Sequence, residues 1–169
     1  MKKIFLLIFI SFFINHLAFS QRFAYVDTDY ILKKIPIYAD AQTKLELLSA
    51  KWENELNEKF AELKSKMKKF QNEKILLSKE MRLKREKEIN EIEKEANTLK
   101  NKYFGYEGEL FKKRQEFIKP IQDEIYNAIL EIAKEGSYAV IFDAANGATM
   151  LYTDVQYDKS DEVLKKLGY

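Results

Sequence analysis

Residues 89–110, INEIEKEANTLKNKYFGYEGEL, decide how this chain is read. The apolar positions Ile89, Ile92, Ala96, Leu99, Tyr103, Tyr106 and Leu110 are separated by alternating steps of three and four. Most of what lies between them is Lys, Glu or Asn. Two apolar positions in every seven, sustained over this length, form the stripe of a coiled-coil seam. A partner stripe lies upstream in Leu45, Leu48, Trp52, Leu56, Phe60, Leu63, Met67 and Phe70. It has more four-residue steps, so its seam is expected to be less regular and its supercoil weaker. Between the stripes, over 72–81, the periodicity blurs. Ile75-Leu76-Leu77 is a contiguous apolar run, and Ser78 is placed to cap a new helix. The expectation is an antiparallel helical hairpin over 38–135 with its tip near 72–80. Each leg would be roughly 35 to 45 residues, about 50 to 70 Å.

Outward from the hairpin, both flanks carry strand signals. Phe23, Tyr25 and Val26 favour a strand over 22–26, with Asp27-Thr28-Asp29 as its turn and a short helical stretch after it, stopped by Pro36. Downstream, Gly136 is placed to stop the returning helix, and 138–142 reads as a strand with Tyr138, Val140 and Phe142 on one face. Asn146-Gly147 is a turn signal before a further strand over 149–153, which predicts a β-hairpin. Ser160 is expected to cap a last short helix over 161–167, ended by Gly168. The fold class is therefore α+β, mostly α: a long helical hairpin on a small β-rich body made of 21–37 and 136–169. Three strands of about five residues cannot bury a core alone. The body is therefore expected to oligomerise, with Tyr25, Val26, Val140, Phe142 and Leu151 in that role and the arms directed outward.

Residues 1–20 read as an export signal. Lys2 and Lys3 precede an apolar run over 4–14 broken by Ser11, and Ala18-Phe19-Ser20 offers small residues for a cut between Ser20 and Gln21. Eleven residues of helix cover about 16 Å, too little for the ~30 Å of hydrocarbon that a membrane anchor must cross. A secreted, periplasmic product of 149 residues is expected (169 − 20). Removing the signal takes two of 29 basic residues and none of 27 acidic ones, leaving 27 against 27. That balance argues against a general nucleic-acid binder, which releases counterions through a basic excess. The chain has no Cys, and its one His, His16, lies in the signal. A disulfide, a thiolate nucleophile, a Ser-His pair and an imidazole metal ligand are thus all excluded from the mature chain. Asp27, Asp29, Asp143 and Asp154 remain near predicted strand ends, where Asp is ordinarily a turn or cap residue. No enzymatic activity, cofactor or metal is expected.

Two features stand out along the hairpin. Ten basic residues, Lys64, Lys66, Lys68, Lys69, Lys74, Lys79, Arg82, Lys84, Arg85 and Lys87, face only Glu73, Glu80 and Glu86, a local excess of +7. Such a run is either a solvated helix face or a patch for acidic lipid, lipopolysaccharide or negatively charged clients. Aromatic and Met residues are interleaved with the charges, and Phe60, Met67, Phe70, Leu77, Met81, Phe104 and Phe111 are the apolar candidates for client contact. Some of these serve the seam, whereas Phe104 and Phe111 lie beside it and are expected to project as adaptable surface for unfolded chains. Gly105 and Gly108 weaken a helix interior, and Pro120 requires a bend or restart, which makes these three the candidate hinge.

With both flanks read, the chain resembles the Skp (OmpH-like) family of periplasmic chaperones across essentially all of the mature sequence. Phe23-Ala24-Tyr25-Val26-Asp27 is similar to the family's first strand, and Tyr138-Ala139-Val140-Ile141-Phe142-Asp143 to its second. Leu151-Tyr152-Thr153-Asp154 and Ser160-Asp161-Glu162-Val163-Leu164 resemble its third strand and closing helix. The resemblance implies a homotrimer whose helical tentacles enclose a cavity. It also implies ATP-independent holdase binding of unfolded outer-membrane β-barrel proteins, preventing their aggregation. Family members are basic overall, whereas this mature chain is neutral, and no residue here is assigned to the family's proposed lipopolysaccharide site. The alternatives are a structural coiled-coil protein of the envelope and a lipid- or polyanion-binding module acting through the basic tip.

Overall fold

The computed structural model describes residues 21–145 and 150–169; the expected signal segment and the Asn146-Gly147 turn lie outside the described residues. Strand β1 (Arg22–Val26) leads into helix α1 (Thr28–Lys34), followed by the long α2 (Pro36–Glu73) and α3 (Lys79–Phe104). Then come α4 (Glu109–Phe117), α5 (Lys119–Glu135), β2 (Tyr138–Asp143), a 3-10 turn (Val155–Tyr157) and α6 (Ser160–Lys166). The chain divides into two compact units. One, the body, holds the described residues up to Lys34 together with 125–169; the other, the arm, is 35–124.

In the body, β1 and β2 pair in parallel, with Ala24 opposite Ile141 and Tyr25 opposite Phe142, and the register slips by one residue after Arg22. Among the described residues the expected β-hairpin is not found: the sheet has two strands, and 150–153 is not a strand. The position on the other side of β1 is held instead by a single bridge to Asp158, where the Lys159 N–H donates to the Tyr25 carbonyl at 2.8 Å. Alternation alone does not distinguish a strand from an extended loop. Here 150–153 has no partner on the sheet, and Leu151 is 97% exposed.

The end of β1 also differs from expectation. Asp27 is not part of a turn but caps α1, its carboxylate accepting from the Tyr30 N–H at 2.9 Å. Ser160, expected as a cap, is instead the first residue of α6 and is buried. Its N–H donates to the Asp158 carboxylate at 2.8 Å, and the N-cap position itself is held by Lys159. The Ser160 hydroxyl accepts from the Asp27 N–H at 2.8 Å and donates to Asp158 at 2.6 Å, joining β1 to α6. Ala24, Val26, Ile31, Ile125, Ala128, Ile132, Val163 and Leu164 make the body core. The body therefore includes the second half of α5, whose apolar face at 125, 128 and 132 is buried, and Lys166 on α6 pairs with Glu131 and Glu135 of that helix. Val26, expected at an oligomer surface, is buried in this core.

In the arm, Pro36 both ends α1 and opens α2 at its first turn, where its missing N–H and fixed φ are favourable. Helix α2 runs 38 residues, about 57 Å. The turn 74–78 reverses the chain, and the Ser78 hydroxyl caps α3 by accepting from the Met81 N–H at 3.3 Å. Leu45 and Leu63 of α2 and Ile92, Ala96 and Tyr103 of α3 are buried along the seam. Ala96 is fully covered. The stripe does not continue through Tyr106, which is 95% exposed. The helix breaks at Gly105, which ends α3, and restarts after Gly108, which precedes α4. Pro120 is the second residue of α5, so a third segment begins there.

Candidate functional site

The arm surface is built from residues that the seam leaves out. On α2, Phe60 and Met67 are exposed and Phe70 is half-buried. They occupy about 15 Å of helix. Phe60, Leu63 and Met67 line a shallow groove with Lys64, Lys68 and Gln71. A second groove holds Met67, Phe70 and Ile89 with Gln71, Lys74, Glu86 and Asn90. The structure thus gathers three of the apolar candidates near the tip, interleaved with three candidate lysines of the basic cluster, Lys64, Lys68 and Lys74. Met81 is exposed at the start of α3, and Phe111 is exposed on α4 beyond the break. Phe104 was expected to project freely but is half-buried, edge-on to Tyr103 with ring centres 6.3 Å apart. Leu77 is also half-buried. Its neighbours Ile75 and Leu76, which no helical stripe singled out, are among the most exposed aliphatic residues of the chain.

The basic residues separate into two groups. Lys66 and Arg85 both donate to Glu88, and Lys87 lies 3.8 Å from Glu91. The Glu88 carboxyl is held below the usual glutamate range, chiefly by the hydrogen bond from Lys66 and then by that from Arg85. The remaining seven, Lys64, Lys68, Lys69, Lys74, Lys79, Arg82 and Lys84, form no ion pair among the described residues. Lys74 lies over the Phe70 ring at 5.6 Å, and the Arg82 Nε donates to the Leu77 carbonyl at 3.0 Å, tying down the turn.

Where α3 ends, an aromatic clasp spans the two legs. Tyr103 stacks on Trp52 with ring centres 5.1 Å apart and planes 10° from parallel, and its hydroxyl donates to Glu55 at 2.5 Å. That hydrogen bond to a carboxylate pushes the Tyr103 hydroxyl above its ordinary pKa. Periodicity placed Trp52 and Tyr103 on the seam but did not show the Glu55 partner, which has no sequence signal of its own.

In the body, apolar side chains gather on the outside. Phe23, Tyr25 and Phe142 line a cleft with Met150, Tyr152 and Tyr157. Val140, Phe142 and Leu151 are exposed, and Tyr25 is half-buried. The aspartates act as caps: Asp143 accepts from the Thr28 hydroxyl at 2.7 Å and from the Ala145 N–H at 3.0 Å, and Asp154 accepts from the Gln156 N–H at 3.1 Å.

This arrangement of a parallel strand pair, closing helix and intervening helical hairpin agrees with what comparison with known proteins finds. The family model described as outer membrane protein (OmpH-like) matches residues 22–167. The chain belongs to the OmpH-like family. An uncharacterized protein of Aquifex aeolicus (strain VF5) is 30% identical over 167 residues, covering 99% of this chain and 96% of its own. The crystal structure of a candidate outer membrane chaperone (OmpH-like) from Caulobacter crescentus CB15 superposes with a TM-score of 0.63. It does so at 11% identity, over 87% of this chain and 83% of the other. At that identity the match concerns the OmpH-like fold, which is mostly helical with a small sheet.

Proposed function

We propose that this OmpH-like protein is an ATP-independent holdase of the periplasm that binds unfolded outer-membrane β-barrel proteins and prevents their aggregation. The observation that carries this reading is the arm surface. Phe60, Met67, Met81 and Phe111 are exposed on a helical scaffold, and the first three are interleaved with lysines and an arginine that form no ion pair among the described residues. Single exposed apolar residues are ordinary, but a series of Met and Phe along one hairpin offers many weak, adaptable contacts. Such contacts suit clients that share little sequence. The holdase does no bond chemistry in this reading, so it requires no catalytic residue.

Self-association through the body belongs to the same proposal. Strand β2 pairs on one side only among the described residues, and Val140 and Phe142 on it are open to solvent. An open apolar edge of this kind is a site for pairing with another chain. The family resemblance supports a homotrimer as the assembly. In this proposal the export signal is removed between Ser20 and Gln21, and Gly105, Gly108 and Pro120 let the arm adjust to clients of different size. Charge attraction through the unpaired lysines would supplement apolar contact.

The test is light scattering of a urea-unfolded outer-membrane barrel diluted into buffer without ATP, with and without the mature protein. Suppression near stoichiometric amounts supports the holdase. No suppression from a folded, oligomeric sample rejects it and leaves a structural envelope coiled coil as the reading.

A further inference from the structure

Residues 21–169 contain neither Cys nor His, and their only sulfur atoms belong to Met67, Met81 and Met150. In such a chain the methionine thioethers are the groups that an oxidant of the peroxide class reacts with first. Their surroundings differ. Met67, on α2, is 44% exposed and is shared by the two arm grooves, beside Phe60 and Leu63 in one and Phe70 and Ile89 in the other. Met81, in the first turn of α3, is 52% exposed. Met150 is half-buried in the body cleft among Phe23, Tyr25 and Tyr152. The two arm sulfurs are thus open to small solutes and lie where the holdase reading puts apolar contact. The seam needs neither of them, since it buries Leu63 and Ile92 in this stretch.

We propose that Met67 and Met81 form an oxidation gate on the arm: peroxide converts their thioethers to sulfoxides, the grooves lose affinity for apolar client segments, and reduction restores it. The gate presupposes the holdase reading and supplies its regulation. In the forward step the sulfur lone pair attacks one peroxide oxygen and the O–O bond breaks. The departing hydroxide takes the proton of the new S–OH group, giving sulfoxide and water; sulfur loses two electrons and the peroxide gains them. In the reverse step two thiols of a reductase supply the electrons, the sulfoxide oxygen leaves as water, and the thiols couple to a disulfide. The groove is built to hold the oxidised form. Lys64 and Lys68 line it with Met67 and form no ion pair among the described residues, so their ammonium groups are free to donate to a sulfoxide oxygen. A flexible apolar contact thereby becomes a polar, hydrogen-bonded one that an entering client side chain must displace. Because Met67 is common to both grooves, one added oxygen alters both.

The test uses the full mature protein treated with hydrogen peroxide, which catalase removes before any client is added. Peptide mass mapping at low conversion should find the added oxygen at Met67 and Met81 before Met150. Fluorescence anisotropy of a labelled outer-membrane barrel, diluted from urea, should then show roughly tenfold weaker binding, recovered by reductases for both sulfoxide epimers. Met67→Leu with Met81→Leu conserves volume, so it should bind like the untreated parent and keep its affinity after peroxide. Met67→Gln places a polar group in the groove and should weaken binding without peroxide, with an unchanged circular dichroism spectrum. The gate is overturned if Met150 oxidises first, if the oxidised parent binds the barrel as before, or if Met67→Gln binds like the parent. It is equally overturned if the leucine pair loses affinity on treatment as the parent does. Those four results leave the holdase reading standing, whereas an untreated parent that does not bind the barrel rejects both.

Discussion

Phe142 offers the sharpest test of the proposed self-association. Its side chain is 47% exposed on β2 and contributes little to the core of its own subunit. A fully buried Phe covers roughly 200 Å², so roughly 90 Å² remains to be covered by a neighbour. At about 25 cal/mol per Å², covering it contributes about 2 kcal/mol per subunit, or roughly thirtyfold in each interface constant. Phe142→Thr removes this area and retains a β-branched residue suited to an edge strand, so strand formation is preserved. Sedimentation velocity over a dilution series should show the variant dissociating at a concentration at least tenfold above the parent, with an unchanged far-ultraviolet spectrum. Coincident dissociation curves for the two proteins would refute the argument and place the subunit contact elsewhere.

Other outcomes follow from the core, the ion pairs and the break. Ile132, 1% exposed in the body, loses three carbons in Ile132→Ala, and urea unfolding should show a loss of about 2 to 5 kcal/mol. A loss below about 1 kcal/mol would mean that this site collapses freely. Glu88 has a depressed folded pKa, so its contribution is present above the unfolded glutamate value and is lost as pH falls through the folded one. Lys66→Met should move the Glu88 carboxyl resonance titration upward; an unmoved midpoint would show that Arg85 alone sets it. At Gly108, an added Cβ would come within 2.8 Å of the Tyr103 carbonyl oxygen, and at Gly105 within 2.3 Å of that of Asn101. Gly105→Ala with Gly108→Ala should therefore rearrange the break and alter the small-angle scattering profile. An unchanged profile would remove the hinge.

Much of the helical part was legible because its signals are local. The three-four stepping placed the seam residues Leu45, Leu63, Ile92, Ala96 and Tyr103, and Ser78 capped where a cap was expected. The step to Tyr106 continued the arithmetic but not the helix, because stepping takes no account of the two glycines beside it. The body was less legible. Two strands were found, but their parallel pairing across the whole arm has no local signature, whereas Asn146-Gly147 gave a strong local hint of a hairpin that the described residues do not contain. Ser160 matched a cap by type, yet it lies inside the helix as its first residue, and its hydroxyl accepts from the Asp27 N–H instead. Among the proposed functional residues, charge density found the tip lysines.

The parallel pairing of β1 with β2 also constrains the order in which the molecule can form. Arg22 meets the Gly136 carbonyl across 114 positions of chain, and closing so long a loop costs entropy before any sheet contact repays it. The α2–α3 contacts are much closer in sequence, and once made they shorten the effective loop between the strands. Folding should therefore begin in the hairpin and finish at the sheet. The first strand to leave the ribosome must wait, unpaired, for nearly the last segment to arrive. During export, a protein proposed to protect other chains from aggregation would itself pass through an interval with an exposed strand.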